Sequence, residues 1–237
     1  MIASENFTVE SLLQAIEGKS EVEALRTLTE LFPGQVSFSS SLGYEDQVIT
    51  DMILANSLPV RIFTLDTGRL FEETYKTLQR TNKRYDTRLE VVFPKHEAIE
   101  NLLNGKGPYS FYESVENRKE CCFIRKVEPL NRALEGVKIW VTGIRASQSG
   151  NRQTMAPIEW DEAHQLFKFH PIIDWEFGQV KEYVKGNNVP YNPLHEKGFV
   201  SIGCAPCTRA IQEGEDFRAG RWWWEDESKK ECGLHAR

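Results

Sequence analysis

The segment QVSFSSSLGYEDQVITDMILA, residues 35–55, reads as a strand, a loop and a helix in succession. Pro33-Gly34 breaks the chain just ahead of it, and residues 35–38 form a short extended run. A polar loop from Ser39 to Gly43 then leads into a helix from Tyr44 to about Ala55. The same unit recurs downstream. Residues 60–65 are a compact apolar run of strand type, and 70–85 read as a charged surface helix. Residues 89–93 suggest a strand ended by Pro94, and 96–103 a helix ended by Asn104-Gly105. The stretch 106–115 reads as an ordered loop, and 121–134 has helical spacing, with Pro129 marking a break or a late start. Residues 138–142 and 165–169 are further strands, and 177–185 a helix stopped by Gly186. Upstream, residues 9–16 and 22–31 carry apolar side chains three and four apart, as amphipathic helices do.

Strands separated by helix-length segments indicate an α/β protein with a mostly parallel open sheet and helices on both faces. From about Val189 the composition turns to proline, glycine and tryptophan. The expectation is one α/β domain over residues 1–237 with an irregular C-terminal extension. Residues 225–237 are expected to form a mobile tail, because the run EDESKK offers nothing to bury.

Composition narrows the function. Of 237 residues, 29 are Lys or Arg and 35 Asp or Glu, giving a formal net charge of −6. An acidic balance argues against general binding to nucleic acid or to a membrane surface. No apolar run approaches the ~18–20 residues that a membrane helix requires. The start, MIASENFTVESL, lacks the basic and apolar regions of a signal peptide, so a cytoplasmic location is expected.

Five cysteines are present: Cys121, Cys122, Cys204, Cys207 and Cys232. An odd number in a reducing compartment disfavours a disulfide framework and points to metal or redox work. The adjacent pair Cys121-Cys122 and Cys204-Ala205-Pro206-Cys207 together offer four soft ligands. That count suits a tetrahedral zinc or an iron–sulfur cluster. Two adjacent cysteines fit one tetrahedral ion poorly but can reach different corners of a cubane. A thioredoxin-like CxxC lacks its usual βαβ context here, and small buried thiols are the bland alternative.

In open parallel sheets, ligands bind at loops beyond the carboxyl ends of strands. Three segments occupy such positions: residues 39–43 with Ser39, Ser41 and Gly43, residues 66–68 with Asp66 and Gly68, and residues 143–149 from Gly143 to Ser149. Small and hydroxylated residues let backbone N–H groups approach an anion. The first loop lacks the Gly-Lys-Ser/Thr ending of a P-loop. Each alone could be a helix cap; together they favour a nucleotide.

The chain resembles the assimilatory adenylyl-sulfate (APS) reductases, the cluster-bearing branch of the phosphoadenylyl-sulfate reductase family. The resemblance runs from about Val36 to His235. Its carriers are SFSSSLGYEDQV (37–48), TLDTGRLFEETY (64–75), ECCFIRKVEPLNRAL (120–134) and VTGIRASQS (141–149). Further on come YNPLHEKGFVSIGCAPCTRA (191–210), GEDFRAGRWWWE (214–225) and KKECGLH (229–235). The resemblance implies an adenine nucleotide alpha hydrolase-like fold and reduction of APS to sulfite and AMP in sulfate assimilation. It implies a [4Fe–4S] cluster on Cys121, Cys122, Cys204 and Cys207, and Cys232 as the nucleophile that becomes S-sulfonated. Reduced thioredoxin, or a glutaredoxin-like dithiol, would release the sulfite.

Cationic residues are expected at the anion. Lys126 lies four residues after Cys122, on the same face of a continuous helix, and the resemblance places it between cluster and substrate. Arg145 lies in the 143–149 loop and Arg152 just beyond it. The resemblance puts a loop arginine at Arg152 and substrate arginines at Arg218 and Arg221. A guanidinium binds phosphate or sulfate oxygens bidentately. Trp222-Trp223-Trp224 reads as packing. The competing readings are a cluster-bearing phosphoadenylyl-sulfate (PAPS) reductase and a non-catalytic zinc-stabilised nucleotide-binding module. An adenylating enzyme of the ATP-pyrophosphatase type would carry an SGGxDS-like loop, where this chain has SSSLGYED. A homo-oligomer is left open.

Overall fold

The structure is a computed structural model, and the residues it describes are 7–148 and 154–225. In chain order the helices and strands begin with α1 (Val9–Ile16), α2 (Glu21–Leu31), β1 (Val36–Ser39), α3 (Tyr44–Ala55) and β2 (Arg61–Leu65). They continue with α4 (Glu72–Arg84), β3 (Glu90–Val92), α5 (His96–Lys106) and α6 (Val115–Cys122). A π-helical turn, Phe123–Val127, joins α6 to α7 (Glu128–Ala133). Then follow β4 (Ile139–Val141), β5 (Ile158–Asp161), β6 (Leu166–Phe169) and α8 (Phe177–Gly186). The strands form a six-stranded sheet in the order β3-β2-β1-β4-β6-β5, parallel except for the β5–β6 pair.

By its internal contacts the chain forms two compact units, and it enters each more than once. The first comprises Met1–Ser40, Tyr44–Ile62 and Gly136–Pro190. Its strands β1 and β4 are buried along nearly their whole length, as central parallel strands are. Helix α3 is buried from Tyr44 to Ile53, which explains why it shows little amphipathic pattern. Two capping boxes start the N-terminal helices: Thr8 with Ser11, and Ser20 with Glu23. Strand β5 was not expected from sequence. Its residues Ile158–Asp161 pair antiparallel with β6, and two of the four are buried.

The second unit comprises Ser41–Gly43, Phe63–Glu135 and Tyr191–Arg237, and it carries Cys121, Cys122, Cys204 and Cys207. Helix α5 runs past Asn104-Gly105 and ends at Gly107, whose φ of 79° suits only glycine at low cost. Helix α6 starts six residues before the expected point, capped by Ser114, whose hydroxyl accepts the Asn117 N–H at 3.1 Å. Pro129 does not break the path, because it falls in the first turn of α7, where its missing N–H costs nothing. Beyond Tyr191 the described chain has only short helical turns, Pro193–Lys197 and Ala205–Cys207, and a bridge between Thr208 and Arg221.

Candidate active site

In the first unit, β1 ends at Ser39, whose hydroxyl accepts the indole N–H of Trp140 on β4 at 2.8 Å. The loop after β4 opens at Gly143, where an added Cβ would overlap Oδ1 of Asp46 and crowd Cβ of Glu45. The glycine therefore allows the first turn of α3 to lie against the loop. Arg145 is 2% exposed. Its Nε and Nη2 donate to Oε1 of Glu45 at 3.0 and 2.8 Å, and its Nη1 donates to the Ser147 hydroxyl and the Trp175 carbonyl. Gln148 donates to the same Glu45 oxygen at 3.1 Å. Sequence reading made Arg145 a candidate for the anion; its guanidinium donates to Glu45, Ser147 and Trp175. The signal for Glu45 was available as an acidic residue in the first turn of α3, but only the fold shows what it faces.

In the second unit, Ser41 and Gly43 are joined by a long contact, Gly43 N–H to the Ser41 hydroxyl at 3.4 Å. Asp66 follows β2. Its Oδ1 accepts the Gly68 N–H at 2.8 Å and the Tyr75 hydroxyl at 2.8 Å. Burial, and then the hydrogen bond to Asp66, push the Tyr75 phenol up to about 12. Gly68 has φ of 69°, and a Cβ there would press on Phe93 and on Nη1 of Arg125. Between them, Thr67 offers its carbonyl to Arg125 Nη1 at 2.6 Å and its hydroxyl to the Cys204 thiol at 3.2 Å.

Cys121, Cys204 and Cys207 are buried in one core with Leu102, Phe111 and Trp222, and Cys122 is half-buried. The thiols lie within reach of one another's charge. Burial and then the charges of Cys204 and Cys122 push Cys207 up to about 12. Burial raises Cys121 against the pull of Arg125 and Arg69. Burial also opposes ionisation of Cys204, but Lys126, the Thr67 hydroxyl, Arg221 and Arg125 outweigh it and hold that thiol below its ordinary range. Lys126 and Arg125 both sit in the π-helical turn, where the Glu128 N–H reaches back to the Phe123 carbonyl. Such turns cluster at functional positions. Among the described residues, no three His, Cys, Asp or Glu side chains converge on a single-ion position.

Arg221 is 8% exposed and lies 4.8 Å from the Trp222 ring, over Gly203, where any side chain would strike the guanidinium. Its Nε is buried with no acceptor among the described residues. Arg218 lies 6.0 Å from the same ring, and its backbone N–H donates to Asp216. Trp222 is a packing residue, 1% exposed, and Trp224 packs edge-on against Tyr112 at 4.4 Å. Sequence reading missed Arg125 and Arg118, whose side-chain partners Thr67 and Glu225 are distant in the chain, and did not single out Thr67 within the 66–68 segment. Ser149, Arg152 and Cys232 lie outside the described residues.

Residues 35–210 match the phosphoadenosine phosphosulfate reductase domain. A protein of Allochromatium vinosum named adenosine 5′-phosphosulfate reductase is 51% identical over 202 residues, covering 85% of this chain and 79% of the relative. One of Burkholderia cepacia with the same name is 51% identical over 201 residues, covering 85% and 80%. Among solved structures, phosphoadenylyl-sulfate reductase from Candida auris superposes with a TM-score of 0.72 at 29% identity, covering 89% of this chain and 99% of its own. Candida glabrata FMN adenylyltransferase, with a TM-score of 0.56 at 18% identity, covers 98% of this chain and 81% of its own, and shares the fold. The matched domain spans well over half the sequence, and so the chain belongs to the phosphoadenosine phosphosulfate reductase family.

Proposed function

We propose that this protein reduces adenosine 5′-phosphosulfate to sulfite and AMP, with a dithiol protein such as reduced thioredoxin as electron source. The observation that carries the reading is Arg221, a buried guanidinium beside Cys204 whose Nε has no acceptor among the described residues. A buried donor left without an acceptor is costly, and an oxygen of the phosphosulfate end of the substrate would remove that cost. The nucleotide comes from the names borne by relatives at 51% identity. Lys126, Arg218 and Arg221 are proposed for the phosphosulfate, with Ser41, Gly43, Asp66 and Gly68 toward the nucleotide.

The four cysteines fit a [4Fe–4S] cluster better than a single ion. One ion needs its sulfurs to converge ~2.3 Å from one point, whereas a cubane spreads them over four irons. Cys121, Cys122, Cys204 and Cys207 would hold it, and Lys126, Arg125 and Arg221 supply the positive charge that four thiolates demand. When bound, the cluster would lend structural and electrostatic support beside the sulfate.

In the proposed chemistry, the Cys232 thiolate attacks the sulfate sulfur. A sulfur–sulfur bond forms, the bond from sulfur to the phosphate oxygen breaks, and AMP leaves with the electron pair. A thiolate of the reductant then attacks Cys232 Sγ, and sulfite departs with the pair of the broken bond. The second thiol of the reductant resolves the mixed disulfide, so the reductant is oxidised by two electrons. The test is anaerobic assay of sulfite release from APS with reduced thioredoxin, in parallel with the 3′-phosphorylated nucleotide. Likeness to the Candida auris protein carries that second reading. Release from neither nucleotide would overturn the proposal.

A further inference from the structure

Arg118 and Glu225 form a buried ion pair, with side chains 1% and 4% exposed. Arg118 Nε donates to Oε1 at 2.9 Å and Nη2 to Oε2 at 2.8 Å, a bidentate fork. Arg118 lies on α6, three and four residues before Cys121 and Cys122, on the same helix face. Its guanidinium also stacks 4.8 Å from the Trp222 ring. Glu225 closes a turn by donating its N–H to the Trp222 carbonyl at 2.9 Å. Trp222 has φ of 43°, an unfavourable region for a bulky residue, held there by its packing.

A buried ion pair is rarely the most stable filling for its space; an apolar pair of like volume often does as well. Glu225 is followed after seven residues by Cys232, a span of at most about 25 Å. We infer that the Arg118–Glu225 pair is a positioning device, fixing the point and direction from which the segment bearing Cys232 departs. This rests on the reading of Cys232 as the nucleophile. Freeing the described chain back to Arg221 would move the last fixed point from seven to eleven residues before Cys232. That lowers the effective concentration of the thiol only about twofold, so a larger loss reports lost orientation.

The experiment is a single-turnover burst of AMP from APS without reductant, in cluster-loaded wild-type, Glu225→Gln, Glu225→Asp and Cys232→Ser proteins. A folding defect lowers the burst amplitude; a positioning defect lowers the rate constant of whatever fraction is active. The expected result is a rate constant about tenfold lower in Glu225→Gln, partly restored in Glu225→Asp, with APS affinity unchanged. A rate constant within about twofold of wild type in Glu225→Gln, with Cys232→Ser inactive, overturns the anchor alone. A burst that persists in Cys232→Ser overturns the nucleophile reading and the anchor with it.

Discussion

The thiol of Cys204 donates to Oγ1 of Thr67 at 3.2 Å, tying the first cysteine of the CxxC to the residue between Asp66 and Gly68. The same hydroxyl accepts the Arg69 N–H at 3.2 Å, and the Arg69 carbonyl accepts the Ala205 N–H at 2.8 Å. A strand-end loop and a cysteine loop far apart in sequence are thereby one hydrogen-bonded assembly. Through Arg125, whose Nη1 meets the Thr67 carbonyl and whose charge acts on Cys121, the assembly extends to α6.

Protein purified anaerobically should contain about four iron and four sulfide per chain, the content of one cubane. Cys204→Ala should lose both and turn from brown to colourless. Stoichiometric zinc without sulfide would contradict the cluster.

Arg221→Ala should weaken APS or AMP binding about ten- to a hundredfold, the ~1.5–3 kcal/mol of a charge-assisted contact to an anion. Iron content should stay at the wild-type value. Equilibrium binding of AMP reads this directly, and an unchanged constant removes Arg221 from the anion.

Arg145→Met should act on stability. It strands Glu45 in a buried setting, at a cost of about 3–5 kcal/mol. The double change with Glu45→Gln should recover part of that loss, because the two residues are coupled. Urea unfolding of the four proteins measures it, and a loss below about 1 kcal/mol in the single variant would show that the pair is not holding the loop.

Gly143→Ala should destabilise by about 1–3 kcal/mol, since the new methyl overlaps Oδ1 of Asp46. Thermal unfolding should show a lowered midpoint. A variant as stable as wild type would mean that Asp46 moves aside without cost.

Cys232→Ser should keep iron and AMP binding and release no sulfite. Wild-type protein given APS alone should gain one sulfonate on Cys232, found by mass spectrometry of its peptides. An adduct on any other cysteine contradicts the assignment.

Sequence pattern alone determined the α/β class, because parallel strands buried on both faces must be short apolar runs, and β1, β2 and β4 read that way. It also determined α1, from apolar spacing, and α3, from the polar loop that precedes it, since both signals are local. Strand β5 was illegible: Ile158–Asp161 alternates only over four residues and is a strand by virtue of its partner β6. Helix α6 was illegible at its start because its face carries Arg118 in place of an apolar residue, and that arginine is buried against Glu225 and Trp222. The same logic separated Arg145 from Arg221. Both are arginines beside glycine-rich loops, equal as text. Tertiary structure gave one of them Glu45 and left the Nε of the other buried without an acceptor among the described residues, because a charge's role depends on what the fold brings within ~4 Å of it.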